Sequence, residues 1–498
     1  MEKSKKGGFV SGIGFVLAAA GSAVGLGNLW GFPYKTAENG GAAFVFIYIA
    51  CVLLIGVTIM ICEIFIGRRA QANPLSAFKQ INKKIGWFGL VAIITPLIIT
   101  FYYSVLGGYT VKFAVNSFWG NNNNLQNFSG NAVEVIIFSA IFICLALFVV
   151  MAGIKGGIEK ASKVLMPALF ILLVLVVVFV LCLGEGVLEG LKFYLVPDFS
   201  KITFKSVLAA MGQAFYSLSL GMGAMIVYGS YTGKEINILK STAMICIFDT
   251  FVALLSGMAI FPAVFHFAVK SGVSLDNLQL NGIMLMFETL PKVFESIGYI
   301  GNIIEFIFFA MVVIAAVTSV ISIMEVSCQF VIQKYKIKRK IATTCVAIVT
   351  FLVSIPIGMS LGHLLNGSDK MTILGFDLLT LLDTVTNTVI MPICALFSCI
   401  AVGWFIGPKK AICELEEQGN KFGKLKDLLG VMIKYVVPLL ILVIEVFGLI
   451  DLMFPQGTFS ANGLGVVIIS IAIIAAMIAL YFTLFAKSYT GANVDEID

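Results

Sequence analysis

The sequence predicts an all-α integral membrane protein of twelve transmembrane helices, on three observations: its composition, the length of its apolar runs, and the glycine breaks in two of them. Of 498 residues, 59% are hydrophobic and 12% charged, against about 25% charged in an average soluble protein. Mean hydropathy is +1.02. A soluble fold cannot hide that much apolar surface, because its area still grows with mass and has to be wetted. The apolar runs recur at the roughly 20 residues needed to cross about 30 Å of hydrocarbon. They are continuous, without the short alternation of barrel strands, so they are helices.

The spans fall at about 10–34, 42–67, 87–116, 133–152, 164–184, 206–231, 240–268, 300–333, 342–362, 375–405, 430–452 and 463–486. The fifth carries no charge from Val164 to Gly184. The first run continues into glycine-rich and charged sequence without a small-residue cleavage site, so it is expected to remain as a span. Two histidines, His266 and His363, leave little material for a histidine metal centre or catalytic dyad. The ten cysteines form no CxxC and lie mostly in apolar runs, as reduced packing residues do. The net charge of +6 would suit nucleic acid, but its distribution points to a lipid surface. Of 33 lysines and arginines, 25 fall on the face shared by the two termini and 8 on the other. That bias predicts cytoplasmic termini in a plasma (inner) membrane, with the bilayer and not nucleic acid as partner.

Spans 1 and 6 are interrupted at Ala20 to Asn28 and at Ser217 to Gly223. Each glycine there costs helix propensity by about 1 kcal/mol. A break facing lipid would strand backbone polar groups, so it belongs where protein or a polar cavity surrounds it. Half-helix N-termini then offer N–H groups to an anion, and unwound carbonyls can hold a cation. One such span reads as a small-residue packing face. Two of them, five spans apart, predict an inverted repeat with a midplane site. The single polytopic domain, 1–498, would divide into halves of five spans at 10–184 and 206–405, followed by spans 11 and 12 at 430–486.

The segments AGSAVGLGNLWGFPY (20–34), ENGGAAF (38–44), GQAFYSLSLGMGAM (212–225) and AAVTSVISIME (315–325) closely resemble the neurotransmitter:sodium symporter family, in particular its bacterial amino-acid transporters. The resemblance runs from Gly14-Phe15 to the Lys409-Lys410 loop and more weakly through spans 11 and 12. It implies two sodium ions. The Ala23 carbonyl, Asn28, Ser217 and Asp249 match the first site, which the substrate carboxylate completes. Carbonyls of Gly21, Val24 and Ala315 with the hydroxyls of Thr318 and Ser319 match the second. A dehydrated hard cation takes oxygen ligands, which is what these residues offer.

Substrate positions carry over in the same way. Ala23, Leu26, Gly27 and Tyr103 would hold the carboxylate, and carbonyls of span 6 near Ser219 the ammonium. Ser22, Ile99, Tyr216, Ser217, Ser219, Met222, Ser319 and Ile323 complete the pocket. That wall has no countercharge, which suits a hydrophobic or aromatic zwitterion, and the unbranched Met222 can repack around large side chains. Asp249 stands where chloride-dependent relatives resemble an Asn. It carries the negative charge itself, while Ala253 cannot, so no chloride requirement is expected. Glu63 matches the acid that braces the unwound backbone.

The sequence also departs from the family pattern. The usual arginine of the outer gate is Gly31, leaving Asp383 without its partner unless Lys35 substitutes. At the inner gate Lys6, Phe9 and Tyr231 are retained, but the expected acid at the end of span 8 is Gln333, so both latches are expected to be weakened. The reading is sodium-coupled import of an amino acid; the alternative is a substrate-binding sensor that has lost transport. Ser/His/Asp, H-E-x-x-H and Walker signatures are absent from the sequence, and an enzyme is not expected. The oligomeric state is left open.

Overall fold

The computed structural model describes residues 8–486 except 275–277, 279, 281, 369, 418, 420–422 and 424; Lys6 lies outside the described residues. The described chain is helical, with one isolated bridge between Ile373 and Phe376. Among the described residues, ten helices are long and apolar enough to span a bilayer: Ala42–Ala70, Lys83–Phe118, Ala132–Met151, Ile154–Leu181, Ile238–Ser271, Tyr299–Tyr335, Arg339–Leu365, Leu378–Ile406, Leu425–Met453 and Ala461–Phe485. Span 1 is the pair Gly12–Ala23 and Gly27–Glu38, bent by 49°. Span 6 is Phe204–Ser217 and Ala224–Ser230, separated by non-helical residues and too short in either half to cross alone. The twelve expected spans are therefore all present, two of them broken where glycine and serine cluster.

Local chemistry sets where they begin. The Ser11 hydroxyl accepts from the Gly14 N–H at the start of span 1, a capping contact that offsets one orphan donor. Thr203 and Ser206 cap each other at the start of span 6. The helix of span 5 begins at Ile154, earlier than the expected 164, and its first turns hold one of their charges internally. Glu159 is buried and accepts from the Val10 N–H at 2.8 Å and from Lys163 at 2.6 Å.

The broken spans lie inside the bundle. In the most apolar windows of spans 3 and 8, 72% of residues are buried, against 28% in spans 11 and 12, so the former pair walls the centre and the latter flanks it. Span 2 meets the second half of span 6 at two glycines. A Cβ on Gly67 would lie 1.8 Å from the Ile226 oxygen, and one on Gly229 would lie 2.4 Å from the Ile64 oxygen. Small residues allow such close backbone approach in lipid.

Gly229→Leu is predicted to destabilise the purified protein by at least the roughly 1–3 kcal/mol of core overpacking, while Gly212→Ala, inside a helix where a Cβ meets nothing within 4 Å, does not lower its melting temperature. Thermal denaturation in detergent measures both.

Candidate functional site

The break in span 1 opens at Val24, whose ψ of 103° leaves the helix. The break in span 6 turns through left-handed conformations at Ser219, Gly221 and Gly223, with φ of 51°, 73° and 68°. Glycine accepts that region at no steric cost, and Gly221 has no alternative, since a Cβ would lie 2.2 Å from the Met391 oxygen. Buried side chains receive the freed backbone groups. Glu63, on span 2, accepts from the Gly221 N–H at 2.9 Å. The Ser219 hydroxyl donates to the Ser22 carbonyl at 2.8 Å, joining the two breaks directly. Gln213 donates to the Gly27 carbonyl at 2.7 Å, and Ser256 to the Asn28 carbonyl at 2.6 Å.

A carboxylate lies at this junction. Asp249 of span 7 is fully buried. Its side chain accepts from the Ser217 hydroxyl at 2.6 Å, the Asn28 amide at 2.8 Å and the Tyr48 hydroxyl at 3.3 Å. The Asn28 amide nitrogen also reaches Ser217 Oγ and the Asp249 carbonyl, both at 3.0 Å. Asn28 Oδ1 accepts from the Gly25 N–H at 3.2 Å, so the amide would have to turn over and give up that bond to present its oxygen to a cation here. Asn28, Ser217 and Asp249 are thus brought together as an oxygen-rich set with one formal negative charge, which fits a hard monovalent cation. Tyr48 was not singled out from the sequence; its hydroxyl on span 2 also lies 3.0 Å from Ser217 Oγ.

A second set forms where span 8 passes the first break. The Ser319 hydroxyl lies 3.4 Å from the Gly21 carbonyl, 3.1 Å from that of Ser22 and 3.2 Å from that of Val24. Thr318 bonds the Ala315 carbonyl at 3.0 Å, and a Cβ on Gly21 would come within 3.3 Å of the Thr318 Cβ. The five residues expected at the second cation site are therefore neighbours, and all their donors are oxygens.

Between the sets is a narrow cavity of about 20 Å³. It is lined by every expected pocket residue except Leu26 and Ser217, with Gly25 in addition. Leu26 contributes through its backbone, its N–H donating to the Tyr103 hydroxyl at 3.2 Å, and Ser217 stands behind the wall with Asp249. No charged side chain lines the cavity.

The sequence profile of the sodium:neurotransmitter symporter family matches residues 6–127 and 122–488. The chain belongs to this family. It is thus an integral membrane protein of a sodium-dependent transporter class, and not an enzyme. An uncharacterized sodium-dependent transporter, YhdH, of Bacillus subtilis is 34% identical over 89% of this chain and 98% of its own length. An uncharacterized sodium-dependent transporter of Haemophilus influenzae is 32% identical over 87% and 96%. Among solved structures, MhsT in complex with L-phenylalanine matches with a TM-score of 0.79 and 32% identity, covering 89% of this chain and all of that one.

In this symporter the residues expected at the two gates have different surroundings. At the outer end, Asp383 accepts from the Asn387 amide at 2.5 Å, and among the described residues it makes no ion pair within 4.0 Å, with Lys35 or any other cation. Gly31 packs against Gln213. The Asn387 amide, one turn along the same helix, is a neutral partner within span 10 and not a bridge to span 1.

Near the expected inner gate the structure places a charge pair that the sequence reading did not include. Gln333 does not stand in for an acid; its Oε1 accepts from the Asn73 N–H at 2.9 Å. The charge lies two turns earlier on span 8, at buried Glu325. Glu325 pairs with Arg339 at the start of span 9, one contact at 3.2 Å and a second to Nη2, and accepts from the Tyr231 hydroxyl at 2.9 Å. Arg339 also donates to the Val150 carbonyl at 3.1 Å. The Phe9 N–H donates to the Tyr231 carbonyl at 3.1 Å, and its ring packs edge-on against Phe15 and Tyr228. The sequence signals were the glutamate ending 315–325 and an arginine among lysines at 336–340, but only the packing of spans 8 and 9 joins them.

Breaking a buried pair leaves an uncompensated charge and costs about 3–5 kcal/mol, whereas removing both partners costs far less. Glu325→Gln and Arg339→Gln are each predicted to lower thermal stability, and the double variant to regain most of the loss. Melting curves of the four proteins measure the coupling.

Proposed function

We propose that this symporter imports a hydrophobic or aromatic L-amino acid together with two sodium ions, without chloride, by alternating access. The observation that carries the reading is a buried carboxylate, Asp249, within a cation-sized set of oxygens beside a cavity whose wall has no charge. A zwitterion placed there has a partner for each end. Its carboxylate meets the Tyr103 hydroxyl, the N–H groups of Leu26 and Gly27 and the first sodium, held by the Ala23 carbonyl, Asn28, Ser217 and Asp249. Its ammonium meets span 6 carbonyls near Ser219. The second sodium takes the carbonyls of Gly21, Val24 and Ala315 and the hydroxyls of Thr318 and Ser319.

The side chain then faces Ile99, Tyr216, Met222 and Ile323. The L-phenylalanine bound by MhsT, 32% identical, supports a substrate of that class. Chloride independence follows from charge. Ser217 and Tyr48 already donate to the Asp249 carboxylate, so the negative charge that balances sodium is covalently present, and Ala253 supplies none.

Sodium binding across spans 1, 7 and 8 links the halves 10–184 and 206–405, which would rock as an inverted repeat, with spans 11 and 12 outside it and both termini cytoplasmic. Two sodium ions crossing 100 mV gain about 2.3 kcal/mol each, and a tenfold gradient adds about 1.4 kcal/mol each. About 7 kcal/mol at full coupling supports roughly 10⁵-fold accumulation of a neutral zwitterion. The sensor alternative rests on two missing latches, and the pair of Glu325 with Arg339 counts against it.

Proteoliposomes loaded with potassium and diluted into sodium are predicted to accumulate labelled phenylalanine, leucine or tryptophan, with no loss when gluconate replaces chloride. Binding without accumulation would favour the sensor, and collapse of uptake in gluconate would overturn the chloride inference. Asp249→Ala is predicted to weaken sodium-dependent binding by at least about tenfold, or about 1.4 kcal/mol, and Asp383→Ala by less. Equal losses would contradict the role given to Asp249.

A further inference from the structure

Beyond the transport pathway, the helix Pro408–Glu417 that follows span 10 packs beside the start of span 11 at Leu425–Val431. The two approach closely at Gly430, where a Cβ would lie 3.7 Å from Pro408 and 3.8 Å from Ile412. A groove of about 540 Å³ runs between them, on the face richer in lysine and arginine. Lys409, Lys426 and Lys434 line it together with Glu416 and Asp427. Among the described residues none of these lysines forms an ion pair. Glu414, on the same short helix, is turned away and taken by Arg69 at 3.2 Å.

The groove is ordered at its bilayer end. The Lys434 ammonium lies over the rings of Trp404 and Tyr435, 5.2 and 5.4 Å from their centroids, and Trp404 Nε1 donates to the Lys434 carbonyl at 3.1 Å. Both aromatics are more than half exposed, at 60% and 54%, as residues at the headgroup level are. From the groove, an exposed apolar stripe of Val431, Tyr435, Leu439, Leu442, Val446 and Ile450 runs along span 11. Its spacing of three and four residues keeps it on one face.

We infer that this groove binds an anionic glycerophospholipid, phosphatidylglycerol in its simplest form. Lys409 and Lys434 hold the phosphodiester, and an acyl chain follows the exposed stripe. Glu416 and Asp427 lie seven residues from these lysines along their respective helices, about 10 Å at 1.5 Å per residue, and accept from the glycerol hydroxyls at the outer end. Basic pockets beside membrane helices recognise anionic headgroups through this charge complementarity. Free phosphate would meet the lysines alone, without the stripe or the acids.

The test is native mass spectrometry and thermal denaturation of the purified full chain with dioleoyl phosphatidylglycerol, dioleoyl phosphatidylcholine or inorganic phosphate. The expected result is retention of phosphatidylglycerol at least fivefold over phosphatidylcholine, with a rise in melting temperature that inorganic phosphate does not reproduce. Lys409→Gln with Lys434→Gln is expected to bring the two lipids within twofold while leaving the melting temperature in phosphatidylcholine unchanged. Lys409→Arg with Lys434→Arg is expected to keep the preference. Equal retention of both lipids by the unmutated protein, undiminished preference in the glutamine variant, or equal stabilisation by inorganic phosphate would each overturn the inference.

Discussion

Two helices broken inside a bilayer impose the constraint on which the rest of this structure depends. In hydrocarbon, every N–H and C=O released from a helix has to find a partner within the protein. The partners here are side chains from other spans: Glu63 for the Gly221 N–H, Gln213 for the Gly27 carbonyl, Ser256 for the Asn28 carbonyl, and Ser219 and Ser319 for carbonyls of span 1. Spans 2, 7 and 8 are drawn around spans 1 and 6 by that requirement. The glycines at 67 and 229, which let span 2 approach the second half of span 6, follow from the same need.

In the proposed mechanism the groups that satisfy the breaks would also supply the transport chemistry. Ser319 bonds carbonyls that are themselves suited to a cation, and Ser217 bonds Asp249, which would balance one. A sodium ion or an amino acid entering the site would then exchange partners with hydrogen bonds already formed, and each exchange would link two spans. Differential contacts of this kind are what allow a ligand to shift a conformational equilibrium. The charges near the two expected gates differ: Glu325 and Arg339 form a buried ion pair, whereas Asp383 forms none among the described residues and accepts from the Asn387 amide.

Much of this was legible in the sequence because it is encoded locally. Apolar run length marks the spans, and Gly21, Gly25, Gly27, Gly221 and Gly223 mark the breaks. The family's motif segments mark a pocket whose residues do converge around one cavity. What was not legible depends on packing between distant segments. Nothing near Tyr48 reveals that its hydroxyl reaches Asp249, two hundred residues away in the chain. Glu325 and Arg339 lie on successive helices and meet only through the angle at which those helices pack. The helix of span 5 begins earlier than its hydropathy indicates; Lys155 and Lys160 in its first turns stay exposed, while the charge of Glu159 is taken up by the Val10 N–H and Lys163. Hydropathy counts that charge, but the folded protein neutralises it.

The central claim is that the substrate carboxylate completes the shell of the first sodium ion held by Asp249. Sodium affinity of the purified protein, titrated with and without saturating ligand, tests it most directly, because linkage requires the two ligands to raise each other's affinity by the same factor. L-phenylalanine is expected to tighten sodium binding at least tenfold, and L-phenylalaninamide, which lacks the carboxylate, to leave it nearly unchanged. Equal tightening by the acid and the amide would contradict the account.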